Sequence, residues 1–236
     1  MKENIAFIKS FISVPTPRCH GKVDVGFIFE PTEGHTISYQ KYFVKSLSSV
    51  FRVSQDNSRL ALVTLGKKSK FRIKFEDHDK VTSFNEAVDK ITQPHGSVST
   101  DIDEALTIAS YRMFDPVKGL RSDASKLLII LVRDLQSKNL TNERSLRLAE
   151  RLRRNGVVVV IIGKGSHKYS SELAQLTGDA DNVMLYPTFI ELVDPKSIQM
   201  IIKRICSKGK CIIGFHSTKK NQNSLSLMFI LTKSRV

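Results

Sequence analysis

The chain has 236 residues, 41% of them hydrophobic, so it is long and apolar enough to build the core of one large globular domain. No apolar run approaches the roughly 20 residues that a membrane-spanning helix requires, and we therefore predict no membrane span. The net charge of +14, from 37 basic and 23 acidic residues, favours an anionic partner over a cationic one.

Apolar patterns along the chain alternate between the periods of strands and helices. In chain order they predict a strand at 23–29, a helix from about 38, a hairpin of strands at 60–65 and 71–75, and helices at 81–91 and 102–113. The second half is predicted to contain a strand at 126–132, a basic helix ending at Asn155–Gly156, strands at 157–162 and 183–186, and a last helix at 189–206 that Pro195 interrupts.

This alternation predicts an α/β fold with a doubly wound central sheet and helices on both faces. The sheet is expected to be mainly parallel, with one antiparallel edge strand from the hairpin. Residues 19–206 form the predicted domain. Residues 1–18 are interpreted as an N-terminal extension or degraded signal peptide, and 207–236 as a tail, with a strand-like run at 225–231, or a truncated next module.

Three cysteines, Cys19, Cys206 and Cys211, lie outside the segments predicted as core. None belongs to a CxxC pair or lies near a histidine at zinc-ligand spacing, which argues against a metal knuckle. The residues leave two alternatives: a disulfide that joins the two ends of the domain, or three free thiols in a cytosolic protein.

Oxygen-bearing side chains are expected in three loops at the carboxyl ends of central strands, in the segments 30–34, 97–100 and 134–137. Ligand sites of doubly wound sheets lie at that edge. Carboxylate and hydroxyl oxygens that converge there suit a hard cation such as Mg²⁺.

The order of these segments resembles the von Willebrand factor type A family. The residues that carry the resemblance are Asp24–Glu30, Ser99–Leu106, Leu127–Ser137 and Leu152–Gly163. They are similar to the family's opening strand with its Asp-x-Ser-x-Ser loop, its threonine loop, its strand followed by Thr-Asp-Gly-x-Ser, and its Gly-Val turn and strand. The resemblance covers about residues 23–206, and it agrees with the predicted fold.

The resemblance implies a metal-ion-dependent adhesion site at Glu30, Thr32, Thr100 and Asp134, but in a degenerate form. Glu30 replaces the expected Asp, Thr32 replaces the first Ser, and Gly34 offers no side-chain oxygen where the second Ser is expected. Mg²⁺ tolerates geometric error poorly, so we predict either no cofactor or weakly bound Mg²⁺.

Alternative roles stay open for several of these residues. The Asp134 carboxylate could instead accept hydrogen bonds from loop amides, and Thr100 could cap a helix. Thr36 or Ser38 could supply the missing hydroxyl oxygen.

The resemblance is strongest to the extracellular matrix members of the family, as in collagens and matrilins. It implies a disulfide between Cys19 and Cys206, secretion into the extracellular matrix, and a matrix or cell-surface protein as partner. Asn139-Leu-Thr141 is a glycosylation sequon if the chain is secreted.

A second predicted ligand class is a sulfated glycosaminoglycan or another polyanion. The predicted helix near 146–152 carries five arginines, namely Arg144, Arg147, Arg151, Arg153 and Arg154. Clustered arginines bind such chains with release of counterions, although the same residues could form an ordinary solvated face. Nucleic acid is disfavoured because no base-reading motif accompanies the charge.

We predict that the chain is not an enzyme. Gly163-Lys-Gly165 lacks the remaining elements of a dinucleotide-binding loop, and the six histidines do not combine with a nucleophile at a recognisable spacing. The leading hypothesis is an adhesion or matrix-assembly module. The alternative is a cytoplasmic type A scaffold in a nucleic-acid or protein complex, which the positive charge favours.

Overall fold

The computed structural model describes residues 17–31, 35–66, 68–92, 102–115, 117, 120–132, 141–208 and 212–215. The strands are β1 (Pro17–His20), β2 (Val23–Phe29), β3 (Arg59–Thr64), β4 (Lys70–Ile73), β5 (Ser125–Val132), β6 (Val157–Lys164), β7 (Val183–Tyr186) and β8 (Ile212–Phe215). The α-helices are α1 (His35–Ser48), α2 (Val81–Asp89), α3 (Ile102–Ile108), α4 (Glu143–Arg154), α5 (Ser170–Thr177), α6 (Phe189–Leu192) and α7 (Pro195–Lys208).

Six strands form one sheet in the order β4-β3-β2-β5-β6-β7. All neighbouring pairs are parallel except β3 and β4, which form the antiparallel hairpin at one edge. The sheet thus confirms the predicted α/β fold with a mainly parallel sheet and one antiparallel edge strand.

Helices cover both faces of the sheet because the central strands are apolar on both sides. In β2, Phe27 and Phe29 belong to the core beneath α1, α2 and α7, whereas Ile28 belongs to the core beneath α3, α4 and α5. All seven residues of β2 are buried. This two-sided burial explains why, apart from Asp24, the strand consists of apolar residues and does not alternate with polar ones.

The ends of the described chain form a separate two-stranded ribbon, in which β1 pairs antiparallel with β8. Pro17 pairs with Phe215, and His20 pairs with Ile212. The backbone N–H of Cys19 also donates to the carbonyl of Val50, 2.9 Å away, which attaches the ribbon to the end of α1. The ribbon therefore includes residues on both sides of the predicted domain bounds, which stay a prediction.

The predicted elements differ from the structure mainly at their ends. The predicted last helix is two helices, because α6 ends at Leu192 and α7 begins at Pro195, the residue expected to interrupt it. Gly156 has φ +76°, the left-handed conformation expected after α4. The sequence patterns did not predict α5, β1 or β8, and the predicted strand at 225–231 lies outside the described residues.

Among the described residues, no helix combines the length and the apolar character that crossing a membrane requires.

Candidate functional site

The carboxyl edge of the parallel sheet is the place where the sequence predicts a metal site. Glu30 directly follows β2 at this edge and is 1% exposed. The other three predicted ligands, Thr32, Thr100 and Asp134, lie outside the described residues, as does Asn139. Within the described part of the chain, no group of three or more His, Cys, Asp and Glu side chains could hold a metal ion.

Two acidic residues in the first turn of α3 lie near the same edge, and neighbouring segments bind both. The Nδ2 amide of Asn142 lies 3.1 Å from each carboxylate oxygen of Asp103. Glu104 accepts a hydrogen bond from the backbone N–H of Ser69 at 2.6 Å. Asn142 also caps α4, since its Oδ1 accepts from the backbone N–H of Ser145 at 2.9 Å. These polar groups therefore connect α3 to α4 and to the β3–β4 hairpin.

The arginine-rich helix α4 lines an open groove of about 650 Å³. Four of the five predicted polyanion-binding arginines line it: Arg144, Arg147, Arg151 and Arg154. All four are exposed. Their spacing of three or four residues places them on one side of the helix, as the helical period requires.

Arg153 does not belong to this group. Its guanidinium donates to the carbonyl of Leu176 and, at 3.3 Å, to that of Gln175, both in the last turn of α5. Arg153 thus binds unpaired carbonyls at a helix C-terminus, where a cation is also favoured by the helix dipole. Arg153 therefore connects α4 to α5 and does not lie with the exposed arginines.

Two of the exposed arginines form ion pairs along α4. Glu143 pairs with Arg147, and Glu150 pairs with Arg154, each at a spacing of four residues. Exposed pairs of this kind contribute only about 0.3 to 0.5 kcal/mol each. They would therefore offer little resistance to an anionic ligand.

A buried ion cluster at the opposite, amino edge of the sheet was not predicted from the sequence. Asp24 is fully buried and accepts hydrogen bonds from Arg59 (2.9 and 2.8 Å) and from Arg121 (3.2 and 2.6 Å). Arg121 also donates to the carbonyls of Gln55 and Asn57 at 2.9 and 2.6 Å. A charged residue inside the apolar run of β2 was the available signal, because such a residue needs a partner.

Cys19 and Cys206 are joined by a disulfide in the structure, with their Cα atoms 5.7 Å apart. Both residues are buried, at 1% and 0% exposure. The bond connects β1 to α7 across a sequence separation of 187 residues. Cys211 lies outside the described residues.

The parallel sheet, its two helical layers and the polar loops expected at its carboxyl edge define a doubly wound α/β domain of the kind that binds ligands at that edge. The sequence model of the von Willebrand factor type A domain matches residues 30–203. Because this match covers well over half of the chain, the chain belongs to the von Willebrand factor type A domain family.

Among curated proteins, the chain is similar to von Willebrand factor A domain-containing protein 2 of Xenopus laevis. The identity is 22% over 206 residues, which are 86% of this chain and 25% of that protein. The chain thus spans about a quarter of the curated relative's length.

Two solved structures show the same fold. Proximal thread matrix protein 1 from the mussel byssus, solved with a zinc-occupied MIDAS motif, has a TM-score of 0.68 and 23% identity, over 93% of this chain and 54% of that one. The conserved hypothetical protein BatB from Bacteroides thetaiotaomicron has a TM-score of 0.58 and 12% identity, over 80% of this chain and 99% of that one. At these identities the likeness establishes the fold alone.

Proposed function

We propose that this chain is a non-enzymatic adhesion or matrix-assembly module that binds an extracellular matrix or cell-surface protein. The observation that carries the proposal is the buried Cys19–Cys206 bond, which closes the two ends of a type A domain. Disulfides persist in oxidising compartments and are rare in the cytosol, so the bond supports secretion. Type A domains are protein-interaction modules, and this supports a protein ligand.

The likeness to the mussel byssus proteins adds a second line of support. Those structures belong to a protein described as a thread matrix protein. Fold likeness does not establish a shared ligand, so the matrix role of this chain is a proposal. Under this proposal, the sequon Asn139-Leu-Thr141 would carry a glycan.

We propose weak or absent metal dependence for protein binding at the carboxyl edge. Mg²⁺ requires near-ideal octahedral oxygen ligands. Gly34 supplies no side-chain oxygen, and Glu30 is one methylene longer than the Asp of the family motif. If a metal binds, Glu30, Thr32, Thr100 and Asp134 would hold it, and it would supply positive charge at the carboxyl edge.

The first test is a non-reducing peptide map with thiol counting on protein from its native source. We expect a Cys19–Cys206 peptide. Three free thiols would overturn the extracellular proposal and favour the alternative, a cytoplasmic scaffold domain, to which the net charge of +14 gives some support.

The second test is solid-phase binding of the folded domain to fibril-forming collagen, in Mg²⁺ and in EDTA. Asp134→Asn changes a residue that the sequence predicts at the carboxyl edge, and Asp123→Asn is the matched control at the amino edge. We expect binding that EDTA changes less than about twofold and that only Asp134→Asn weakens. A tenfold loss in EDTA would overturn the proposed metal independence, and equal effects of the two variants would overturn the carboxyl-edge site.

A polyanion is the second ligand that we propose, through the exposed arginines of α4. Four guanidinium groups on one side of a helix can bind an anionic chain with release of its counterions. The groove that they line gives this proposal a defined location on the domain.

A further inference from the structure

A π-helical turn, Ala109–Met113, continues α3 and presents two neighbouring side chains to solvent. The backbone N–H of Phe114 donates to the carbonyl of Ala109 at 2.8 Å, the five-residue spacing of a π-helix. Tyr111 is 46% exposed, and Arg112 is exposed beside it. π-Helical turns are rare and occur frequently at functional sites, so the surface around this turn is a candidate ligand-binding surface.

Tyr111 lies in the groove of the exposed arginines. The Arg151 guanidinium carbon is 4.3 Å from the centroid of the Tyr111 ring, a short cation–π distance. This contact limits the rotamers of a long side chain and holds its charge above the groove. Tyr111 is therefore a positioning residue for Arg151.

Arg112 lies on the other side of the π-helical turn, in a second groove of about 220 Å³. Its guanidinium carbon is 5.7 Å from the centroid of the Phe71 ring. Lys74 and Arg59 line the same groove, although the charge of Arg59 is matched by Asp24. The two adjacent residues of the turn thus face two separate basic grooves.

We propose that the two grooves form one binding site for a sulfated polysaccharide, which crosses the π-helical turn at Tyr111 and Arg112. We call this the two-groove site, lined on one side by Arg144, Arg147, Arg151 and Arg154 and on the other by Lys74 and Arg112. The inference rests on the proposed polyanion function. It adds the path of the polysaccharide across the surface and three residues that the arginine pattern does not contain, Lys74, Tyr111 and Arg112.

Charge in the two-groove site is strongly unbalanced. Besides Arg59, six cationic side chains line the grooves, against the acidic side chains of Glu150 and Glu76 in the grooves and of Glu143, which pairs with Arg147. Glu76 lies 3.9 Å from Lys74, and Glu150 pairs with Arg154, in exposed contacts that an incoming sulfate can replace. The site is therefore prepared for a ligand with several closely spaced negative charges.

A sulfated polysaccharide fits this surface better than a nucleic acid does. Single-stranded nucleic acids stack their bases on open aromatic faces. Here the rings of Tyr111 and Phe71 each have one face covered by a guanidinium. The disulfide also favours an extracellular ligand.

The experiment measures heparin binding by titration calorimetry from about 0.05 to about 0.3 M NaCl, a range over which salt weakens binding that depends on ionic contacts. The groove variants are Arg151→Gln and Arg112→Gln, and the matched control is Lys168→Gln, an exposed cation 4.8 Å from the Tyr169 ring centroid outside both grooves. We expect each groove variant to weaken binding about fivefold at low salt and to reduce the salt slope by about one ion. The control should change the affinity less than about twofold.

Tyrosine variants test the positioning role. Tyr111→Phe keeps the ring and should bind heparin like the wild type, whereas Tyr111→Leu should lose affinity about as much as Arg151→Gln. In the background of Arg151→Gln, the Tyr111→Leu change should have no further effect. An additive effect there would overturn the positioning role, and unchanged thermal unfolding confirms that each variant is folded.

Each result separates the two proposals. If wild type binds heparin but both groove variants behave like Lys168→Gln, the two-groove site is wrong and the polyanion function stands. If only Arg151→Gln weakens binding, the ligand does not cross the turn. Binding lost at 0.15 M NaCl overturns the polyanion function itself, and a preference for single-stranded DNA over heparin of equal charge overturns the ligand class.

Discussion

Replacing Asp24 by asparagine is expected to destabilise the domain by about 3 to 5 kcal/mol. Asp24 is fully buried, and the side chains of its partners Arg59 and Arg121 are only 11% and 15% exposed. Asparagine keeps the shape but removes the charge and turns one acceptor into a donor, which would face a guanidinium N–H. Two poorly solvated cations would lose their counter-charge, and this loss is the source of the expected destabilisation.

Urea unfolding, followed by far-ultraviolet circular dichroism, measures this loss. With a slope of about 2 kcal/mol/M, the midpoint of Asp24→Asn should fall by about 1.5 to 2.5 M. Asp123→Asn is the matched control, because the Lys22–Asp123 pair is exposed and screened by solvent, so its loss should leave the midpoint nearly unchanged. A loss below about 1 kcal/mol in Asp24→Asn, or one equal to that of the control, would refute the assigned role of the cluster.

A double variant examines whether charge imbalance is the cause. Removing Arg121 together with Asp24, as Asp24→Asn with Arg121→Met, leaves one cation without a carboxylate instead of two. The loss in the double variant should therefore be smaller than the sum of the two single losses. Strict additivity would show that the residues act independently.

Three further outcomes follow from the structure. Reducing the Cys19–Cys206 bond should destabilise the domain by about 5 kcal/mol, the chain-entropy value for cysteines 187 residues apart, which denaturant unfolding with and without reductant measures. Gly163→Ala should destabilise by about 1 to 3 kcal/mol, since the new Cβ would lie 2.1 Å from a backbone carbonyl oxygen of β5, and thermal unfolding checks it against wild type. A hydrogen bond from Lys208 lowers the pKa of Asp179. The stability that this pair contributes is therefore present above the pKa of Asp179 in the unfolded chain, and it is lost as the pH falls through the pKa of Asp179 in the folded protein. In Lys208→Gln, a carbon-detected NMR titration should show the Asp179 pKa rising towards its ordinary value.

Apolar periodicity was sufficient to predict most of the architecture. Residues 127–132 and 157–162 are unbroken apolar runs of strand length, and they lie in the neighbouring interior strands β5 and β6. The antiparallel edge followed from alternation of Phe71, Ile73 and Phe75 with basic residues. Such patterns predict elements well because burial on one or two faces imposes them residue by residue.

Elements that depend on distant contacts were not predicted. Helix α5 spans eight residues with only Leu173 and Leu176 as large apolar anchors, too few to establish a helical period. Strands β1 and β8 have four residues each, and they pair with each other from opposite ends of the described chain. Short segments of this kind gain their structure from tertiary contacts more than from local pattern.

The sequence by itself determined the fold class, the family and the basic character of α4, because these follow from local composition, spacing and order. Only the tertiary structure decided what individual charges do. Arg153 and Arg151 are two residues apart, yet one binds the end of α5 and the other lies over Tyr111. Asp24 is a buried partner of Arg121 at the amino edge. These roles depend on which groups from distant segments lie within a few ångströms, and only the packing of helices against the sheet establishes that.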